Sequence, residues 1–289
     1  MRLKAHAKLN LTLDVMGRRD DGYHNISSVM QEISLCDEID VFIKESDSPK
    51  IILKTQAPDI PKDETNICYQ AAKTFLDAFH IKKISVKIII YKKIPIGAGL
   101  GGGSSDAAVV LKALNRLTGV YATTEVLEQI ALSVGADVPF FINGGTQLVQ
   151  GIGEQMTPLS CFGTPYFILL KPQESALTTE IYAEFDRLIA AGEIAEATYT
   201  TKKFVTALNA GNDPYCFIGN MLQPATEHNC YMVHVLCDAL RELGARAVSM
   251  SGSGTAVFGL FDSYSQVLQA FKKFDLPVQT KYICVGQTK

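Results

Sequence analysis

An α+β fold in two domains is what the sequence predicts, on three observations. Strand-like runs of period two and helix-like stripes are interleaved without the regular alternation of a doubly wound parallel sheet. The 289 residues exceed one typical domain. Turn residues concentrate at 155–165, in Met156-Thr157-Pro158 and Gly163-Thr164-Pro165, dividing the chain into residues 1–157 and 158–289.

From Lys4 to Val15, Ala5, Ala7, Leu9, Leu11, Leu13 and Val15 alternate with polar residues, the pattern of a half-buried strand. Its polar face carries Lys8 and Asn10. Asp20-Asp21-Gly22 is a turn that leads into Tyr23-His24. Two strand-like runs follow, Val29 to Leu35 and Glu38 to Lys44. Asn66 to Phe79 places Ile67, Ala71, Ala72, Phe75, Leu76 and Phe79 on one helical stripe. Ile84 to Tyr91 alternates as a strand, a glycine-rich segment spans Pro95 to Ser105, and Asp106 to Leu117 is helical and stops before Gly119. Another helix runs from Thr124 to near Gly135. Beyond the junction come a strand at Tyr166–Leu170, helices near 178–191, 201–208 and 227–243, and a strand–loop–strand at 245–261. A helix at Ser265–Phe274 and a strand at Thr280–Val285 close the chain.

Composition narrows the function classes. Lys+Arg 27 against Asp+Glu 30 gives a net charge of −3 with no basic stripe, which argues against a nucleic-acid partner. The seven cysteines show no C-x-x-C spacing and read as buried free thiols of a reducing compartment. His6, His80, His228 and His234 have no metal-ligand spacing. No apolar run follows the charges at the start, and no stretch has the roughly 20 apolar residues of a membrane span. A cytoplasmic protein with no membrane partner is expected.

The sharpest feature is Pro95-Ile96-Gly97-Ala98-Gly99-Leu100-Gly101-Gly102-Gly103-Ser104-Ser105, between a strand and a helix. Five glycines in seven residues allow close backbone approach and positive φ. The following helix start offers free N–H groups and a favourable dipole for an anion. This reads as a phosphate-binding loop; the competing reading is a surface turn with serine caps. Gly97-x-Gly99-x-x-Gly102 also fits the dinucleotide fingerprint, a weak pattern alone. Walker A is excluded, since no Lys-Ser or Lys-Thr follows the glycines.

The loop resembles the signature of the GHMP kinases (galactokinase, homoserine kinase, mevalonate kinase and phosphomevalonate kinase). More narrowly, Pro95 to Ala108 is similar to the P-x-G-A-G-L-G-G-G-S-S-D-A-A of the kinases that act on 4-diphosphocytidyl-2-C-methyl-D-erythritol. Ala7-Lys8-Leu9-Asn10-Leu11, the turn from Gly17 to His24, Asp63 to Asn66, Gly135 to Phe140, Gly151-Ile152-Gly153-Glu154 and Ser251-Gly252-Ser253-Gly254 resemble further family segments, so the likeness spans the chain. Met221-Leu222-Gln223-Pro224 departs from an acidic family pattern, and 192–216 holds few family residues.

The resemblance implies an N-terminal domain like ribosomal protein S5 domain 2 and a ferredoxin-like C-terminal one. It implies ATP and Mg²⁺ as cofactors, the diphosphocytidyl alcohol as small-molecule substrate, and a monomer or homodimer. Read from the residues, Asp137, between Gly135 and Pro139, is either a turn residue or a proton acceptor, and Lys8 is either a solvated lysine or a cation awaiting an anion. By resemblance they are the catalytic pair, Lys8 near Asp137 and keeping it ionised. Asn66 and Lys92 would help hold the nucleotide with the loop residues. Asn10, Tyr23, His24, Thr178 and Tyr182 would contact the substrate, and Ser251, Gly252 and Ser253 would lie near the phosphates at the substrate site. The alternatives are a homoserine- or mevalonate-type kinase, a non-catalytic nucleotide binder, and a dinucleotide-dependent oxidoreductase.

Overall fold

A computed structural model describes residues 1–194 and 199–287 of the chain. The opening alternation becomes β1 (Arg2–Arg18), and the two runs after it merge into one long strand, β2 (His24–Glu45). Contacts group the chain into two compact units, neither continuous in sequence: Met1–Ala7, Leu35–Ile96 and Gly101–Gly144 form one, and Lys8–Ser34, Gly97–Leu100 and Gly145–Lys289 the other. These units do not part at residue 157.

The first unit adds β3 (Ile51–Thr55), α1 (Ile67–Ala78), β4 (Ile84–Tyr91), α2 (Gly102–Leu117), α3 (Thr124–Val134) and α4 (Val138–Asn143). β4 pairs antiparallel with β2, Ile39 opposite Ile90 and Val41 opposite Ile88, and parallel with β3. α1 packs against α2 and buries Ala71, Ala72 and Phe75, the stripe its periodicity predicts. α2 begins at Gly102, four residues earlier than expected. Gly101 takes the left-handed conformation as its N-cap, and Gly102 and Gly103 lie inside the first turn. Pro139 sits in the first turn of α4, where its missing N–H costs nothing, and Asp137 is the N-cap.

The second unit adds β5 (Thr146–Gly151), β6 (Gln155–Leu159), β7 (Tyr166–Lys171), α5 (Thr178–Ala190), α6 (Thr200–Asn209), β8 (Gly219–Asn220), α7 (Gln223–Asn229), α8 (Met232–Glu242), β9 (Ala247–Met250), β10 (Val257–Phe261), α9 (Tyr264–Lys273) and β11 (Thr280–Val285). The expected junction is thus partly a strand: β6 pairs antiparallel with β5. The helix expected at 227–243 is two, α7 and α8, parted at Cys230-Tyr231. β7, β9, β10 and β11 form an antiparallel sheet in the order β11-β7-β10-β9, with α5 to α8 before β9 and α9 before β11. That is the ferredoxin-like arrangement. Its core gathers Ile168, Leu170, Ile181, Leu236, Val257 and Phe261 with Leu13 of β1. Met221 and Leu222, which depart from the family pattern, are core residues there.

Residues 8–14 correct the half-buried reading. Lys8, Asn10, Thr12 and Asp14 are at most 3% exposed, so both faces of β1 are buried here. The polar face is satisfied internally. The cysteines are all free; Cys68, Cys230, Cys237 and Cys284 are buried, Cys36 and Cys161 half-buried and Cys216 exposed, so the buried-thiol reading fails for three.

Candidate active site

In the second unit, residues 97–100 are tied down by backbone and one hydroxyl. Lys8 N–H donates to Leu100 O at 3.0 Å, Ala256 N–H to Ala98 O at 3.2 Å, and Ser251 Oγ to Gly99 O at 2.9 Å. Gly97 and Gly99 have φ of +62° and +74°. At Gly99 a Cβ would stand 2.0 Å from Ser251 O, so the glycine is required by contact as well as conformation. Ala98 and Leu100 point inward, while Ile96 is exposed.

In the first unit the loop passes into α2. Gly101 supplies no capping side chain, which leaves the first N–H groups of α2 without helical acceptors. Ser104 is half-buried and Ser105 buried in that turn. Beneath it Lys92 Nζ donates to Asp37 and, at 2.9 Å, to Asp106 of α2. Asp37 also accepts the Ile94 N–H at 2.8 Å. Burial pushes the Asp106 carboxyl up to about 8, and its Oδ1 has no partner. Burial works against the Lys92 ammonium too, yet Asp106 and Asp37 outweigh it and leave its pKa raised. Lys92 is therefore a buried ion-pair centre, not a free surface lysine. Asn66 is the N-cap of α1: its Oδ1 accepts the Cys68 N–H and its Nδ2 donates to Pro61 O, each at 2.8 Å. Asp137 is half-buried at the start of α4.

Two further groups of expected residues meet in the second unit. Lys8 Nζ donates to Asn10 Oδ1 at 2.5 Å, and Asn10 N–H donates to Ser251 Oγ at 3.2 Å. Ser251 is fully buried and its hydroxyl serves backbone partners, so it shapes the site without presenting its side chain. Gly252, at φ +60°, lets the turn approach Gly99 and Asn10. Asn220 fastens the turn, its Nδ2 donating to Met250 O and Gly252 O, both at 2.8 Å.

Nearby in the same unit, Tyr182 stacks on the His24 ring, with centroids 4.8 Å apart and planes at 24°. His24 Nε2 lies 2.8 Å from Asp186 Oδ1, and Arg18 Nη1 lies 3.5 Å from Asp186 Oδ2. Arg18, Tyr23, His24, Thr178, Tyr182 and Asp186 line a cavity of about 670 Å³. Thr178 and Ser253 share a hydroxyl–hydroxyl bond of 2.8 Å at its side. Tyr23 is 65% exposed, leaving an aromatic face open to a flat ligand. Sequence reasoning missed Asp186, Asp37 and Asp106. Asp186 had a signal, lying one helical turn beyond Tyr182; Asp37 had none, because it reaches Lys92 only through strand pairing.

No helix among the described residues is long and apolar enough to cross a membrane. Residues 66–145 match the N-terminal domain of the GHMP kinases and residues 204–275 their C-terminal domain. A 4-diphosphocytidyl-2-C-methyl-D-erythritol kinase of Clostridium perfringens is 38% identical over 94% of this chain and 92% of its own. The crystal structure of a 4-(cytidine 5'-diphospho)-2C-methyl-D-erythritol kinase superposes with a TM-score of 0.79 at 31% identity, covering 99% of this chain and all of the other. A homoserine kinase from Cytophaga hutchinsonii reaches a TM-score of 0.77 over 100% of this chain and 95% of its own, but at 18% identity it shares the fold alone. By its two matched domains and its full-length relatives, the chain belongs to the GHMP kinases, and within them to the family of 4-diphosphocytidyl-2-C-methyl-D-erythritol kinases.

Proposed function

We propose that this enzyme transfers the γ-phosphoryl group of ATP to the 2-hydroxyl of 4-diphosphocytidyl-2-C-methyl-D-erythritol, a step of the non-mevalonate route to isoprenoids. It would act in the cytoplasm as a monomer or homodimer, with family domains divided at residue 157. The observation that carries the substrate choice is the cavity beside Tyr23, where an open aromatic face adjoins a histidine held by Asp186 and Tyr182. A cytosine ring needs a face to stack on and a polar group at its edge, and this cavity offers both. An acceptor without a base, such as homoserine or mevalonate, leaves those groups unused.

The free N–H groups at the start of α2, with the Ser104 hydroxyl, suit the phosphates of ATP. Asn66 and Lys92 support the nucleotide site indirectly, since their side chains are spent on the α1 cap and the carboxylate pair. Asp137 accepts the proton of the 2-hydroxyl as that oxygen attacks the γ-phosphorus and ADP departs. Lys8 offsets negative charge on the reacting groups. Among the described residues no three ligating side chains cluster for a metal. The Ser104 hydroxyl at the start of α2 would help hold Mg²⁺ with the nucleotide, and the ion would supply charge neutralisation. A coupled ADP-release assay against the diphosphocytidyl alcohol, mevalonate and homoserine tests the reading. Turnover of the first alone is expected; turnover of either other acceptor at equal kcat/KM would overturn it.

A further inference from the structure

We propose that Ser28 is a positioning residue for Lys8, acting by holding the Asn10 amide that the lysine ammonium meets. The proposal rests on the reading of Lys8 as the catalytic cation. It follows from counting hydrogens. A serine hydroxyl has one proton to give. Ser28 Oγ lies 2.5 Å from the Thr12 carbonyl, which can only accept, so the proton is committed there. Toward Asn10 the Ser28 oxygen must therefore accept, and only the amide nitrogen of Asn10 can donate. Nδ2 faces Ser28 at 2.8 Å, and Oδ1 is thereby turned to Lys8 Nζ at 2.5 Å.

The opposite rotamer fails at both ends. It would set the amide NH₂ against an ammonium, donor against donor, and Oδ1 against a hydroxyl whose proton is already spent. Lys8, Asn10, Thr12 and Ser28 are 3%, 1%, 0% and 0% exposed, so water is a poor substitute for either partner. The anchor itself does not move. Thr12 Oγ1 accepts the Val29 N–H at 2.9 Å and meets Thr201 Oγ1 at 2.8 Å. Thr201 gives its own proton to Ser27 O at 2.8 Å, which leaves Thr12 as the donor between the two threonines. The backbone of Asn10 is fixed by Ser251 Oγ at 3.2 Å. The rotation of the Asn10 amide is the freedom that remains, and Ser28 Oγ and the Lys8 ammonium, one at each end, remove it together. One hydrogen of Asn10 Nδ2 is then left for an acceptor oxygen of the substrate.

The test is steady-state kinetics of the full chain with ATP and the diphosphocytidyl alcohol, for Ser28→Ala, Ser28→Thr, Lys8→Ala and the Ser28→Ala/Lys8→Ala pair. For Ser28→Ala, kcat should fall by about tenfold to a hundredfold, the scale on which a displaced catalytic group acts, with KM for ATP held within about twofold. Ser28→Thr keeps the hydroxyl and should recover most of that kcat. In the Lys8→Ala background, Ser28→Ala should cost nothing further. If Ser28→Ala fails to fold, Ser28→Cys, a poor donor of similar size, is measured in its place with the same expectation. Wild-type kcat in Ser28→Ala with Lys8→Ala inactive overturns the proposal alone, as does an equal loss from Ser28→Ala in both backgrounds. Wild-type kcat in Lys8→Ala overturns the reading of Lys8 and the proposal with it.

Discussion

Replacing Gly99 by alanine tests the loop at its tightest point. The new Cβ would lie 2.0 Å from Ser251 O, and real Cβ contacts stay above 3.0 Å, so one backbone segment must retreat by at least the difference of 1.0 Å. The obstruction is backbone, which cannot swing aside as a side chain can. Alanine at φ +74° adds about 1–2 kcal/mol of conformational cost. The retreat also strains two hydrogen bonds, Ser251 Oγ to Gly99 O and Ala256 N–H to Ala98 O, each worth about 1 kcal/mol. Against this, alanine restricts the unfolded chain and returns about 0.4–1 kcal/mol. The net loss is about 2–4 kcal/mol. It is read by denaturant unfolding, together with calorimetric titration of a non-hydrolysable ATP analogue in case the loop yields without global unfolding. Gly103→Ala is the control: its Cβ would make an ordinary 3.6 Å contact with Ile67 Cγ2 inside a helix, where alanine gains about 0.5–1 kcal/mol over glycine. Gly99→Ala with wild-type stability and wild-type nucleotide affinity would refute the reasoning.

Asp137→Asn should lower kcat by roughly 10²–10⁴, the range of a lost general base, with ATP affinity retained; near-normal turnover would make Asp137 a structural cap. Lys8→Ala should also be impaired, and the double variant should be little worse than either, since groups that act as a unit are not additive. Asp106 gives a pH signature. Its carboxyl is raised to about 8 when folded, so from about pH 4 to about pH 8 the native state keeps a proton that the unfolded chain has lost. Its contribution is therefore complete at low pH and is lost as pH rises through that window, and Asp106→Asn should flatten the decline in unfolding midpoint between about pH 5 and about pH 8. Parallel slopes in the two proteins would discard the protonated Asp106. Finally, Tyr23→Ala and His24→Ala should each raise KM for the diphosphocytidyl alcohol by tenfold or more, at about 1–3 kcal/mol per stacked base, while KM for ATP stays put; equal shifts in both constants would mean general misfolding of the unit.

Elements with local signals were legible in the sequence. α1 announces itself by an apolar stripe and an asparagine cap, and β11 was bounded correctly by its alternation. The glycine loop was recognisable because its composition is so unfavourable for regular structure. Its helix boundary was not, since glycines and serines in the first turn of α2 carry no helical pattern. β6 reads as a junction in the sequence because it holds Pro158, which an edge strand tolerates. The polar face of β1 was harder. Alternation alone cannot tell water from an internal network, and here Asp14 meets the N–H groups of Thr200 and Thr201 at 3.1 and 2.8 Å while Thr12, Ser28, Asn10 and Lys8 satisfy one another. The sequence offers Lys8, Asn10, His24 and Tyr182 as candidates but not Ser28 and Asp186, which hydrogen-bond Asn10 and His24. Ser28 and Asp186 act across 18 and 162 positions of sequence, where no periodicity reaches.

The fastening of Gly99 by Ser251 also fixes an order of events in the life of the molecule. The two residues are 152 positions apart, and Ala256 lies further still toward the end of the chain. A ribosome adding roughly 5–20 residues per second emits the glycine segment many seconds before the groups that shape it exist. A nascent or truncated chain ending before Met250 would carry the whole glycine-rich motif and yet lack the clasp that gives residues 97–100 their form. The form of residues 97–100 is thus deferred until β9 and β10 have paired.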